Sequence, residues 1–222
     1  MIVQEKHIKK LCQHPLFLDC SSNALLEVLR ENKAETMLYR VGDIIMSPST
    51  EQKMIGMILS GKAAVTTPDA AGNSLLRNLA AGDLFGVANL FVQQPYVSVI
   101  RATSPCEVLC VPETAIRALI ERDSAFCYRY LSFLSGRVCY LNQKIAYLTA
   151  GTPERRLALY LVSLRQRTVE LPLSISALSE ILDVGRASLY RAFDKLTEDG
   201  FIQKEGRTFI LLDPDRMLTY YR

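Results

Sequence analysis

At 222 residues, 49% of them hydrophobic and 22% charged, the chain is long enough for one large domain or two ordinary ones and apolar enough to bury a core, which excludes a disordered polypeptide. Its net charge of +3 is too small to announce nucleic-acid binding on its own, so any such argument rests on where the charges sit. The opening MIVQEKHIKKLCQHPLF breaks its apolar positions with charges, and nowhere do about 18 apolar residues run together, so neither a signal peptide nor a membrane span is expected, and a cytoplasmic location is. Six cysteines (Cys12, Cys20, Cys106, Cys110, Cys127, Cys139) without an export signal read as reduced thiols, and no pair has CxxC spacing.

Residues 1 to 35 read as helical, with Leu25, Leu26, Val28 and Leu29 following a start signal at Asp19, Ser21 and Ser22. From Thr36 to Val111 the texture changes to short Val, Ile, Leu and Thr runs. Turn signals at Gly42-Asp43, Ser60-Gly61-Lys62, Ala71-Gly72-Asn73 and Gly82-Asp83 punctuate them. This pattern predicts an antiparallel barrel or sandwich. Helical texture returns at Pro112-Glu113.

From Ser124 to Ala150, Cys127, Leu131, Leu134, Val138, Leu141, Ile145 and Leu148 recur at alternating steps of 4 and 3. Such a seam asks for a parallel helix from a second subunit, which predicts a homodimer. The aromatics off the seam (Phe126, Tyr130, Phe133, Tyr140, Tyr147) are expected to pack this helix on its own barrel. Thr149-Ala150-Gly151-Thr152-Pro153 then breaks the helix and is the candidate hinge. A helix from Glu154 to about Arg165 follows, then a strand-like ELPLSI, two short helices, and two apolar arms around Glu205-Gly206 that form a wing hairpin. Asp213-Pro214 has the N-cap and N1 residues of a last short helix.

The two short helices carry the chemistry. Leu178, Ile181 and Leu182 form one apolar face, Asp183-Val184-Gly185 the turn, and Leu189, Phe193 and Leu196 the facing stripe, which together make a helix-turn-helix. The outward face of the second helix is Arg186, Ala187, Ser188, Tyr190, Arg191, Asp194 and Lys195. Its excess is basic although residues 151 to 222 hold 11 Lys and Arg against 10 Asp and Glu. Arg186, at the N-terminal end, is placed to reach a guanine edge with two hydrogen bonds. Arg191, Lys195 and Ser188 are placed for base or phosphate contacts.

With these parts in this order, the chain resembles the cyclic-AMP receptor protein / fumarate-nitrate reduction regulator (CRP/FNR) superfamily of bacterial transcription factors. The stretches that carry the resemblance are GDLFGVANLF (82–91), SVIRATSPCEVLCVP (98–112) and SISALSEILDVGRASLYRAFDKLTEDGFI (174–202). It implies an α+β chain: N-terminal helices and a jelly-roll-like antiparallel β-roll that senses an effector (1–122), a dimerisation helix (123–150), and a winged helix-turn-helix that binds DNA (151–222). The implied partners are a near-palindromic DNA duplex, a second copy of the chain, RNA polymerase and an unknown small-molecule effector.

Departures from the family pattern bear on that effector. Where cyclic-AMP binders place a Glu and an Arg-Ser pair, this chain has Val87, Tyr96 and Val97, and a cyclic phosphate buried without a cation is costly. Leu141 and Asn142 stand where adenine-contacting hydroxyls are found. Cyclic AMP is therefore not the expected effector. The implied pocket would be lined by Phe85, Val87, Leu90, Tyr96, Val97, Tyr140, Leu141 and Asn142, which suits an apolar or aromatic effector, or none.

Haem or redox sensing is the alternative, with His7 and His14 the only imidazoles and Cys127 lying in the seam. The iron–sulfur branch clusters its cysteines, whereas Cys12 and Cys20 stand apart, and Cys106 and Cys110 alternate with Val108 as small buried hydrophobes. No metal site is expected. A ligand-sensing module that does not bind DNA is the other alternative. An enzyme is not expected: both histidines lie in one terminal segment, and neither a Ser/His/Asp arrangement nor a GxxxxGK[ST] loop is present. Many relatives also place an acid directly after the first recognition arginine, where this chain has Ala187, suited to a thymine methyl.

Overall fold

The computed structural model describes residues 1–69, 72–171, 174–205 and 208–221, without the side chains of 68–69 and 72–75. The chain forms two compact units, Met1–Leu134 and Ser135–Arg222.

The first unit opens with α1 (Glu5–Leu11) and α2 (Ser22–Glu31), joined through a short 3-10 turn at Pro15–Phe17. Asp19 does not start α2: it takes a left-handed backbone (φ +61°), and Ser21 is the N-cap. Eight strands follow: β1 (Glu35–Tyr39), β2 (Ile44–Met46), β3 (Met54–Ser60), β4 (Lys62–Asp69), β5 (Gly72–Ala80), β6 (Leu84–Phe85), β7 (Val99–Ala102) and β8 (Cys106–Pro112). They pair antiparallel into two four-stranded sheets, ordered β1-β8-β3-β6 and β2-β7-β4-β5. The sequence leads there because β3 and β8 are apolar on both faces. Ile55, Met57, Leu59, Leu109 and Val111 face the core shared with the N-terminal helices. Ile58, Cys106, Val108 and Cys110 face the core that also takes Ile45, Ala63, Leu79 and Ile100 from the second sheet. A strand covered on both sides reads as a continuous apolar run instead of an alternating one.

The two Gly-Asp turns share one construction. Gly42 and Gly82 have φ of +89° and +94°, a region that costs glycine little, and each following carboxylate accepts a backbone N–H three residues back, from Arg40 to Asp43 at 2.7 Å and from Ala80 to Asp83 at 2.8 Å. The turn at Ala71 lies outside the described residues.

After α3 (Glu113–Arg122) comes the long α4 (Ser124–Thr149). The boundary between the units falls inside α4. Phe126 and Tyr130, with Phe133 partly buried, pack into the first unit's core, as the off-seam aromatics were expected to do. Tyr147 does not: it packs in the second unit, edge-on to Tyr160 at 6.1 Å and hydrogen-bonded to Ser163. Tyr140 is exposed. Seam spacing identifies a helix face but not which core the opposite face will meet.

The second unit continues with α5 (Pro153–Ser163), β9 (Thr168–Glu170), α6 (Ile175–Leu182), α7 (Arg186–Glu198), β10 (Ile202–Glu205), β11 (Thr208–Leu211) and α8 (Pro214–Tyr220). Here the strand lies earlier than the ELPLSI expectation. Val169 is its buried residue, paired with Phe209 of β11, while Pro172-Leu173 lie outside the described residues. The wing arms pair from Ile202 with Leu211 to Glu205 with Thr208, and their tip at Gly206 is likewise outside. Asp213 caps α8, its carboxylate accepting the Arg216 N–H at 3.0 Å, with Pro214 at the first helical position.

Candidate nucleic-acid interface

In the second unit, Leu178, Leu182, Leu189, Ala192, Phe193 and Leu196 are buried in one core with Leu157, Leu161 and Phe209. Phe193 stacks on Phe209 at 4.7 Å, which packs the wing against α7. The helix-turn-helix turn is closed locally: Asp183 takes the left-handed backbone (φ +51°) at the end of α6, and Ser179 receives the Val184 N–H at its carbonyl while its hydroxyl donates to the Val184 carbonyl. Aspartate tolerates that conformation better than most residues.

This scaffold leaves the first turns of α7 open. Arg186, Ala187, Tyr190 and Arg191 are exposed, Tyr190 by 55%, and Ser188 is half-buried. Arg191 donates to the Ser188 hydroxyl at 2.8 Å, so its guanidinium is held rather than free to wander. Gly185 is the N-cap and supplies no side-chain acceptor. The first N–H groups of α7 therefore lack a capping side chain, and such amides favour anions. Sequence reasoning did not count this feature among the DNA-facing groups, although Gly185 in place of the usual Ser, Thr or Asp was visible.

Lys195 is arranged differently. Its ammonium sits 2.9 Å from Asp199, which also accepts a 2.6 Å hydrogen bond from Tyr221. The Tyr221 and Lys195 donors hold the Asp199 carboxyl below its usual range, and Asp199 in turn raises Lys195. Lys195 and Arg191 share a cleft of about 580 Å³ with Glu154, Asp194 and Glu198, so the side of α7 around Lys195 carries more acid than base.

In the first unit the sequence-based pocket residues are packed. Phe85 and Tyr96 lie in the core between the sheets, and Val87 and Leu90 in the core with the helices. The Phe85 ring rests on Gly56, where any Cβ would collide with it. The Tyr96 hydroxyl accepts the Met54 N–H at 3.0 Å. The Val87 carbonyl accepts the Tyr130 hydroxyl at 2.9 Å, a link no sequence pattern announced; burial first, then Glu113, pushes the Tyr130 phenol up to about 12. Val97 is exposed, as are Tyr140, Leu141 and Asn142 in the second unit.

The imidazoles offer little to a haem. His7 is buried, its Nδ1 accepting the Gln4 N–H at 3.1 Å and its Nε2 facing Glu107 at 3.7 Å. His14 lines a cleft of about 270 Å³ with Lys10 and Gln13, below the range of about 300–1,000 Å³ usual for small-molecule sites. Among the described residues, no three His, Cys, Asp or Glu side chains gather to hold a metal ion, Cys12, Cys20, Cys106 and Cys110 included. No described helix is long and apolar enough to cross a membrane.

A family model for the cyclic nucleotide-binding domain matches residues 36–123, and one for the Crp-like helix-turn-helix domain matches residues 155–220. The chain belongs to the CRP/FNR superfamily. Its curated relatives include a probable transcriptional regulator flp of Lacticaseibacillus casei, 24% identical over 91% of this chain and 94% of that protein. A CRP-like cAMP-activated global transcriptional regulator of Mycobacterium tuberculosis is 23% identical over 72% of this chain and 76% of that protein. The crystal structure of Thermus thermophilus catabolite activator protein aligns with a TM-score of 0.55 at 19% identity, over 94% of this chain and all of that one, a likeness of fold. This CRP/FNR protein is a transcription regulator with a DNA-binding helix-turn-helix, not an enzyme.

Proposed function

We propose that this regulator works as a cytoplasmic homodimer, paired along α4, which lays two α7 helices in successive major grooves of a near-palindromic site. The carrying observation is the exposed, uncapped start of α7, with Arg186 and Arg191 presented and Lys195 engaged by Asp199. Arg186 reads a guanine, Ala187 and Tyr190 meet neighbouring base edges, and Arg191, steadied by Ser188, reads a base or holds a phosphate. The seam supports pairing: Leu131, Val138, Leu141, Ile145 and Leu148 are 39% to 57% exposed on one chain, and Cys127 and Leu134 are half-buried. A heptad face of this kind is stabilised by burial against its copy.

The effector of this proposal is not cyclic AMP. Val87 offers no ribose acceptor, Tyr96 and Val97 offer no cation, and Phe85 fills the space above Gly56. An apolar or aromatic compound is the effector the residues favour, with RNA polymerase as the downstream partner. The test is duplex binding across salt. Phosphate contacts make log Kobs fall linearly with log salt by about 0.9 per contact; a dimer contacting several phosphates gives a steep line. A flat line, or no site recovered from random duplexes, overturns this reading and leaves the C-terminal unit to be tested for protein partners instead.

A further inference from the structure

Arg156 lies in the first turn of α5, where a cation opposes the helix dipole. Its own helix does not explain it. The side chain is only 16% exposed, and its Nε is buried without a hydrogen-bond partner among the described residues. The guanidinium reaches outward to three main-chain carbonyls: Nη2 donates to Leu148 at 3.1 Å, and Nη1 to Leu182 at 3.0 Å and Asp183 at 2.8 Å.

Those acceptors belong to two helix C-termini. Leu148 is the last seam residue, one before the end of α4, while Leu182 ends α6 and Asp183 begins the turn into α7. The last carbonyls of a helix have no intrahelical partner, and a cation there also meets the negative end of the dipole. One planar fork thus caps both helices at once and ties the end of the dimer seam to the turn that leads into the recognition helix. All four residues lie in the second unit.

We propose that Arg156 is a positioning residue that fixes the direction of α7 relative to the seam, and so sets the separation of half-sites the dimer accepts. This rests on the dimeric DNA-binding reading above. Adjacent half-sites read by two helices must match their spacing, and each base pair added also rotates one half-site about the duplex axis.

The experiment uses the full chain and symmetric duplexes whose half-sites, selected with the unaltered protein, are held at the preferred separation or moved by one base pair either way. The unaltered protein should bind the preferred spacing much more tightly. For Arg156→Gln, the preference should shrink about fivefold, since charge-assisted bonds that fix one orientation are lost. Arg156→Lys should do the same: a point charge cannot reproduce a fork across three carbonyls. If Arg156→Gln fails to fold by circular dichroism and melting, Arg156→Lys decides. Weaker binding to all three duplexes in the same proportion means Arg156 serves stability alone and overturns the inference, as does an unchanged preference. If the unaltered protein binds DNA without any spacing preference, the dimeric reading itself fails, and this inference with it.

Discussion

Residues 82–91 and residues 182–193 both lie in stretches that carry the superfamily resemblance, and they differ in the side chains they leave exposed. In the first, Leu84, Phe85, Val87 and Leu90 are buried, and the Val87 carbonyl is tied to Tyr130. In the second, Leu182, Val184, Leu189, Ala192 and Phe193 are buried in much the same proportion, and Arg186, Ala187, Tyr190 and Arg191 stand out. A family scaffold persists through its buried apolar positions in both. The side chains placed on it differ: the second stretch presents Arg186 and Arg191, whereas Val87 of the first and nearby Tyr96 are buried and Val97, also nearby, is exposed without a charge. The shared fold carries the DNA-binding helix-turn-helix, and on the proposal above it does not carry cyclic AMP with it.

The strongest way to break this contrast is to remove the side chain on which the open stretch depends. If each subunit of the proposed dimer reads a guanine through Arg186, Arg186→Ala removes that contact twice, at about 1–3 kcal/mol each, and affinity for the selected site should fall at least about thirtyfold. The salt slope should stay unchanged, because a base contact releases no counterion. Fluorescence anisotropy on labelled duplexes across salt measures both. Affinity within a factor of about two of the unaltered protein would mean that α7 does not read bases through its first turn.

The buried stretch can be tested by its latch. Tyr130→Phe keeps the ring and leaves the Val87 carbonyl without its hydroxyl donor, which costs about 1–3 kcal/mol for a buried acceptor. The melting temperature should drop by a few degrees, as about 1 kcal/mol does in domains of this size, with dimerisation intact. An unaltered melting curve would show that the turn around Val87 is already free to rearrange, and would restore it as a place where an effector enters.

How much of this was readable follows from the range of each interaction. The Asp213 cap, the Gly-Asp turns and the Asp183-Val184-Gly185 turn were legible because their partners lie within a few residues. Tyr130 with Val87 and Arg156 with Leu182 were not, since 43 and 26 residues separate the partners and no spacing rule connects them. Tyr147 misled for a related reason: it is off the seam like Phe126, yet the helix passes from one core to another between them. The sequence places the strand at 168–170 later because Leu171 and Leu173 continue the apolar alternation begun at Val169, whereas the described ladder to β11 pairs Thr168, Val169 and Glu170.

The smallest expected effect sharpens the contrast within α7 itself. Lys195 was grouped with Arg186 and Arg191 by its position on the outward face, and charge count alone would make it a phosphate contact. Its ammonium faces Asp199, which Tyr221 also engages, in a cleft shared with Glu154 and Glu198. Were Lys195 on a phosphate in each half-site, Lys195→Ala would flatten the salt slope by about 1.8. The slope should instead stay where it is and the affinity change less than about twofold, as for a charge already paired at the surface. Asp199→Asn then gives the opposite sign: an unpaired Lys195 beside the duplex should steepen the slope and tighten binding. If neither variant moves the slope, the α7 face that meets DNA ends at Arg191.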